Sequence, residues 1–516
     1  MKRHLLYFAL LLCLILTSCY EDKGNYTYVE LNRTQVTGID SIYTCNIQEK
    51  ITIEPQIHSV DKSRTYEYLW MCYDKKDFKR AIDTLSFQRK LDWQVTLPLS
   101  SYVLIFAYRD TQTGVTNHVY TNLTVESEFS RGWYVLKEHQ ANTDLDYFFS
   151  GRRNENLLAR IQGKSMEGKP RSLGFTDKYT WVDTNTGKQN KGNRCFLLAS
   201  EKEMRISRIL DIKQVGNFQS MFFENSPSVH PQKWYEGSEE SGLINNGKLY
   251  AYSIRTGEFG ISKLEFPKEG DYELSNVMTK NATMYPLLFD LHSHRFCTSI
   301  KGRNTISFFE NDAQSKYSDS YPEYTPIYAG FLDEGMWEGG KGFIVMRHNS
   351  NHSLSIFHID MKCLIDWDES FLKNRITDIV PVAHTSKLST ASCFGMNRAF
   401  QMLYFSVDDK LYYYDLFNKE EHEVLYTGGG SPIPTGESIV LIKHLVLDYQ
   451  DYMDESIKEN VNKLVIATSN GTTYKLYLFE TTANRLKDNP EVYKGVGRPS
   501  EVIYISPYLS NVFICY

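Results

Sequence analysis

His292 and His294 flank Ser293. In an extended strand residues two apart point to one face, so both imidazoles would reach a single metal ion. No third ligand is placed by the sequence; the pair reads as a polar strand face and no metal is expected. Asp448, Asp451, Asp454 and Glu455 supply the hard carboxylate oxygens that calcium takes, interleaved with Tyr449 and Tyr452, and this cluster reads as a solvated loop or short helix. Gly428-Gly429-Gly430-Ser431-Pro432 lacks the lysine and the following helix of a phosphate loop. It reads as a turn. G-x-S-x-G, H-E-x-x-H and dinucleotide-binding glycine patterns do not occur, so no catalytic residue, metal or cofactor is assigned. Paired carboxylates for glycoside hydrolysis leave no linear trace when each comes from a different repeat, and that chemistry stays open.

The cysteine with the most specific surroundings is Cys19. Met1, Lys2, Arg3 and His4 form a basic start, and Leu5 to Leu16 is an almost unbroken apolar run. Twelve residues are too few for a bilayer core that needs roughly 20, so the run is the core of a signal peptide over residues 1–18. Leu16-Thr17-Ser18-Cys19 resembles the bacterial lipobox, which implies diacylation of Cys19 as the new N-terminus. Two acyl chains hold a protein stably where one is marginal. Residues 19–27 form a polar tether, and Glu21 and Asp22 resemble the acidic surface-export signal of Bacteroidota lipoproteins, implying the outer face of the outer membrane.

Of nine cysteines, Cys13 leaves with the signal peptide and Cys19 carries lipid. Cys45, Cys72, Cys195, Cys297, Cys363, Cys393 and Cys515 contain no CxxC pair and read as small buried hydrophobes. One bridge, Cys45 to Cys72, stays open in an oxidising compartment. A net charge of -6 with scattered basic residues argues against nucleic acid.

These residues must be positioned by strands. Tyr and Phe number 36 and 28 and sit in short alternating runs broken by Gly, Asn, Asp and Ser, the pattern of an all-β chain. Residues 28–127 hold five such runs (50–57, 66–72, 91–97, 102–109 and 117–126) and suit a β-sandwich. Tyr66-Glu67-Tyr68-Leu69-Trp70 followed by Tyr102 to Asp110 and Gly114 resembles a PKD-type immunoglobulin-like domain, departing from it at Tyr73-Asp74-Lys75-Lys76 where a Gly-Asp-Gly turn is usual.

Residues 132–516 carry a weak repeat centred on Leu249, Ile306, Leu354, Leu411 and Leu476, spaced by 57, 48, 57 and 65 residues, with fainter copies at Leu145 and Ile206. Seven units of this length, each burying its faces against its neighbours, predict a β-propeller of about seven blades; an irregular β-solenoid is the alternative. Val512–Tyr516 is the candidate strand to close the ring onto Trp133–Lys137. Glu126–Gly132 reads as a polar, flexible joint between the two domains.

Cys19 to Tyr26, the sandwich, Gly132-Trp133-Tyr134-Val135-Leu136-Lys137-Glu138 and Thr143-Asp144-Leu145-Asp146 together resemble the PKD-like family of Bacteroidota lipoproteins. That resemblance implies a place beside a SusC/SusD-type nutrient uptake system, hence a TonB-dependent transporter and SusD-type lid as partners and a glycan or peptide as ligand. It supplies no catalytic residues. The function expected is therefore non-catalytic binding or scaffolding on the cell surface; a propeller glycosidase or lyase, or a host-surface adhesin, are the alternatives. Cys19→Ala is expected to abolish incorporation of a clickable fatty acid and to release the protein from membranes. A Cys19→Ala protein that still labels would overturn the anchor.

Overall fold

The computed structural model describes residues 34–75, 80–183, 186–223, 226–235, 240–253, 262–279, 285–332, 339–397, 400–450, 458–482 and 485–509. The lipobox Leu16, Thr17 and Ser18, Cys19, the Glu21–Asp22 pair, most of the acidic insertion after Asp448, and Cys515 lie outside them. The chain divides into two compact units between Thr124 and Val125, Leu97–Ser100 grouping with the second.

In the first unit the alternating runs become a five-stranded sheet in the spatial order Ile42–Asn46, Thr116–Glu126, Ser100–Asp110, Tyr66–Asp74, Asp83–Ser86. Two-stranded sheets, Lys50–Ile53 with Leu91–Gln94 and Thr34–Thr37 with Gln56–Ser59, complete the sandwich. The run 50–57 is thus split in two. Trp70 is fully buried, its ring 4.8 Å from that of Phe106 opposite it on the neighbouring strand. Its indole N–H donates to the Arg89 carbonyl at 3.1 Å, so the polar end of a large buried ring is satisfied. Cys45 and Cys72 are both buried. Burial pushes the Cys72 thiol up to about 12, and no bridge joins the pair.

The second unit is built of seven antiparallel blade sheets among the described residues, with a further two-stranded pair, Thr481–Thr482 and Arg485–Leu486. In blades two, five, six and seven the strands follow chain order from the innermost outward, beginning with Pro170–Val182, Tyr324–Leu332, Cys393–Asn397 and Ser438–Gln450. Blade three starts at Pro231–Tyr235 and has three strands, its outer edge extended by backbone bonds from Glu265 to Ala251 and from Lys268 to Leu249. Blade four has three short strands from Leu288 to Phe308. Its inner position is taken by residues 274–279, which bond to the 287–289 backbone.

Blade one breaks the pattern, and in doing so closes the ring. Its order is Arg152–Asn154, Asn142–Phe149, Gly132–His139 and then Arg498–Ile505, so the innermost strand comes from the far end of the chain. Trp133 pairs with Tyr504 and Val135 with Val502. The stretch Val512–Tyr516, expected in this position, lies outside the described residues.

Each blade interface has its own apolar cluster. Because successive strand residues point to opposite faces, Trp133 and Val135 pack towards blade seven with Leu445, Val465 and Leu476, whereas Tyr134 and Leu136 pack towards blade two with Phe175 and Phe196. Five more clusters join blades two to three, three to four, four to five, five to six and six to seven. The closing strand serves two of them, Val502 on one side and Ile503 and Ile505 on the other.

The joint after residue 126 is not the flexible polar segment expected. Ser127, Phe129 and Ser130 are buried, and Phe129 belongs to the cluster between blades one and two. The Tyr147 hydroxyl lies within hydrogen-bond distance of the Glu128 and Arg131 carbonyls, at 2.7 and 2.8 Å, and Tyr134 donates to the Phe129 carbonyl. Gly132 then sits at φ 141°, where a Cβ would lie 2.6 Å from the Tyr147 ring, so a side chain there is excluded by both backbone and space.

Deleting residues 498–516 is expected to remove cooperative melting of the propeller. Each buried aliphatic side chain of the closing strand contributes about 1.5–3 kcal/mol, against a typical total stability of about 5–15 kcal/mol, and Gly132–His139 would be left with an open edge. An unchanged calorimetric transition in the truncated protein would contradict closure by this strand.

Candidate functional site

Inner strands of a propeller surround a channel, and the cavity that best qualifies as a site lies there. Its volume is about 230 Å³. Blade three contributes Lys233, Trp234 and Tyr235, blade five Tyr328 to Phe331, blade six Phe394 and Met396, blade seven Leu441 to His444, and the closing strand Glu501. The inner strands of blades five, six and seven, the closing strand, and those of blades two and three are consecutive neighbours.

Small residues on blade two give blade three its position. A Cβ on Gly174 would fall 2.3 Å from the Trp234 indole, and the Ser172 hydroxyl accepts from the Trp234 backbone N–H at 3.0 Å. Trp234 is thereby seated in the cluster between these blades, and Lys233 is carried beside it. Tyr235 points its hydroxyl at the Glu240 carboxylate, 3.1 Å away, which also accepts from Ser299 at 2.5 Å and Lys268 at 3.2 Å. Burial and this carboxylate push the Tyr235 hydroxyl far up, so it serves as a fixed donor.

The charged centre is Glu501. Its Oε1 lies 2.5 Å from the Lys443 ammonium and its Oε2 3.6 Å from that of Lys233. Lys443 also donates to the Val502 carbonyl at 3.0 Å. Burial alone would raise the Glu501 carboxyl, but Lys443 and then Lys233 outweigh it and hold the group at about 2. Glu501 is ionised throughout the physiological range. Lys443 and Glu501 are 13% and 18% exposed, and Lys233 is 29% exposed, so Lys233 is the member of the trio that faces solvent most. Among the described residues lining the cavity, two lysines face one carboxylate.

Chemically, this arrangement can attract and hold an anion. It is poorly suited to glycoside hydrolysis, which needs an acid with a raised pKa and a second carboxylate; the one described carboxylate here is held low and is tied to two ammonium groups. None of Lys233, Lys443 or Glu501 was singled out by sequence. They sit on three blades, and the only trace is a charge inside an apolar strand: Lys443 interrupts Ile439 to Leu447.

The residues that sequence did single out hold structure together. Asp146 and Lys137 are both fully buried, 2.8 Å apart, and Asp146 also accepts from the Tyr474 hydroxyl at 2.7 Å and the Asn156 N–H at 2.8 Å. Burial shifts its carboxyl upward, and this cluster links blade one to blade seven. Asp144 accepts from the N–H groups of Leu158 and Ala159 and from the Ser165 hydroxyl, seating the helix Leu157–Gln162. His292 and His294 occupy a turn, not the strand face expected. Asp290 fixes that turn by accepting from the His292 and Ser293 N–H groups; His294 is left-handed at φ 55° and His292 bonds Asp271 at 3.0 Å. Gly428–Pro432 links blade six to blade seven as a turn. Asp448 extends the first hairpin of blade seven, opposite Asn460. Among the described residues no group of three metal-ligating side chains converges, and no helix is long and apolar enough to cross a membrane.

The fold is thus a PKD-like β-sandwich and a seven-bladed β-propeller. Residues 19–170 match the model of the PKD-like family, a span that takes in the sandwich and, beyond it, Gly132–Asn154 of blade one with the Lys137–Asp146 pair. Comparison with curated proteins finds no match. Among solved structures the chain is similar to a quinonprotein alcohol dehydrogenase-like protein from Bacteroides thetaiotaomicron, at 10% identity and a TM-score of 0.37 over 93% of this chain and 100% of that one. It is similar also to YCF48 from Cyanidioschyzon merolae, at 8% identity and 0.33 over 60% and 95%. A third is the β-propeller domain of Cps50 (Swd1) from Myceliophteria thermophila, at 7% identity and 0.34 over 70% and 92%.

Glu501 gives a pH prediction. Its folded pKa lies below the unfolded value, so its contribution is present above about pH 4.5 and lost as pH falls towards 2. The stability advantage of the wild type over Glu501→Gln is expected to shrink by roughly 3 kcal/mol between pH 5 and 2. Denaturant titrations of both proteins across that range measure it, and a constant difference would contradict the pairing.

Proposed function

We propose that the protein is a surface-exposed outer-membrane lipoprotein of the Bacteroidota type that binds and does not catalyse, acting as an accessory of a SusC/SusD-type nutrient uptake system. The observation that carries the binding half of this reading is the state of Glu501, held ionised at about 2 by Lys443 and Lys233 inside an aromatic-lined cavity. Such a carboxylate has no proton to donate at neutral pH. A cavity whose described lining carries two lysines and one glutamate instead favours retention of an anionic ligand, because electrostatic attraction strengthens where water is excluded.

The location half rests on the Leu16-Thr17-Ser18-Cys19 motif, the Glu21–Asp22 pair and the PKD-like match over residues 19–170. Lipid tethering beside a transporter makes weak contacts effectively intramolecular, at roughly millimolar local concentration, so modest affinity for a glycan or peptide suffices. Tyr and Trp serve this reading less than their number suggests. Trp70, Trp133, Trp234, Tyr134 and Tyr147 are buried packing residues, while Trp367 at 56% exposure is among the few large rings turned outward.

Affinity capture of the full lipidated protein from detergent-solubilised outer membranes is expected to bring down a TonB-dependent transporter. The purified protein is expected to turn over neither glycans nor peptides. Hydrolysis of a defined glycan that disappears in Glu501→Gln would establish the enzyme reading instead.

A further inference from the structure

We propose that the propeller channel is a binding site for a small organic monoanion, a carboxylate or sulfate ester carried on a body the size of a single sugar, with Lys233 as its principal anchor. This rests on the binding reading above and names the class of ligand. The first observation is charge. Lys443 is committed to Glu501 at 2.5 Å and to the Val502 carbonyl at 3.0 Å, whereas the Lys233 ammonium approaches Glu501 only to 3.6 Å, beyond a good hydrogen bond. Among the described lining residues one glutamate faces two lysines, so one positive charge is in excess, and Lys233 is the more loosely held of the two.

The second observation is shape. Tyr328 and Phe394, from blades five and six, stack with ring centroids 5.8 Å apart and planes 25° from parallel, and both line the same cavity as Lys233, Trp234 and Phe331. Aromatic faces accept the C–H face of a sugar or another flat apolar body. At about 230 Å³ the cavity admits one such unit and not a chain of them. Among the described lining residues the lysines exceed the carboxylate by one, which matches a single negative charge, so a neutral sugar lacks the main attraction and a dianion brings a charge these residues do not balance.

Isothermal titration of the full lipidated protein in detergent tests this with glucuronate, glucose 6-sulfate and glucose. Binding of glucuronate, of glucose 6-sulfate or of both, with glucose silent, is expected, and the pattern tells carboxylate from sulfate ester. Lys233→Met is expected to weaken the binding anion by roughly tenfold or more, the loss of one charged hydrogen bond, while Lys233→Arg retains most of it. Lys233→Gln replaces the methionine variant if the latter fails to melt cooperatively. Silence of both anions on the folded wild type, binding of glucose as strong as theirs, or equal affinity in Lys233→Met would overturn the proposal. Should the transporter still co-purify in that case, the accessory reading stands and the ligand class alone is wrong.

Discussion

The structure depends on one strand inserted from far along the chain. Arg498–Ile505 lies between Gly132–His139 and the channel, and without it blade one would present its inner edge unpaired. A ring of sheets has no free energy minimum at six and three-quarter blades, because every blade buries its faces only against its neighbours. The closing strand therefore couples the first and last blades in one step: Val502 completes the cluster with blade seven and Ile503 and Ile505 the cluster with blade two. Arg194 of blade two reinforces this from outside the sheet, donating to the carbonyls of Ser506 and Leu509 just past the strand.

The same strand makes the site. Glu501 alternates with Val502, so closing the ring delivers a carboxylate to the channel at the moment it delivers an apolar side chain to the core. Its pairing with Lys443 joins the closing strand to blade seven, and the longer contact to Lys233 reaches past blade two to blade three. Buried ion pairs are weak sources of net stability but costly to break on one side. The Lys137–Asp146 pair, with Tyr474 attached, does for the blade-one to blade-seven interface what Glu501 does for the channel. The closure is thus fixed in register by charge as well as by packing.

Much of the architecture was legible because strand packing repeats. Leu145, Ile206, Leu249, Leu354, Leu411 and Leu476 all fall on the third strand of their blades, since that strand is packed on both faces and selects a buried aliphatic residue. Ile306 falls beside the outer strand instead, because the strands of blade four are short and its third, Arg295–Thr298, carries the mark as Phe296–Cys297. The buried Trp70 was legible for a similar reason, while the joint at Ser127–Ser130 was not: its serines turn inward to bond one another, which composition reads as polar and exposed. The site was least legible of all. Lys233, Lys443 and Glu501 are brought together by ring geometry, and no spacing along the chain records it.

Native-state hydrogen exchange at residues 498–505 tests the central claim most directly. If this strand closes the ring, the backbone amides of Ile503 and Ile505, which alternate with the channel-facing amide of Val502 and pair with Tyr134 and Gly132, exchange only when the propeller unfolds globally, with the same free energy as amides of Trp133–Leu136 on the strand beside them. Exchange of the Ile503 and Ile505 amides by local opening, at a free energy well below that of Trp133–Leu136, would contradict it.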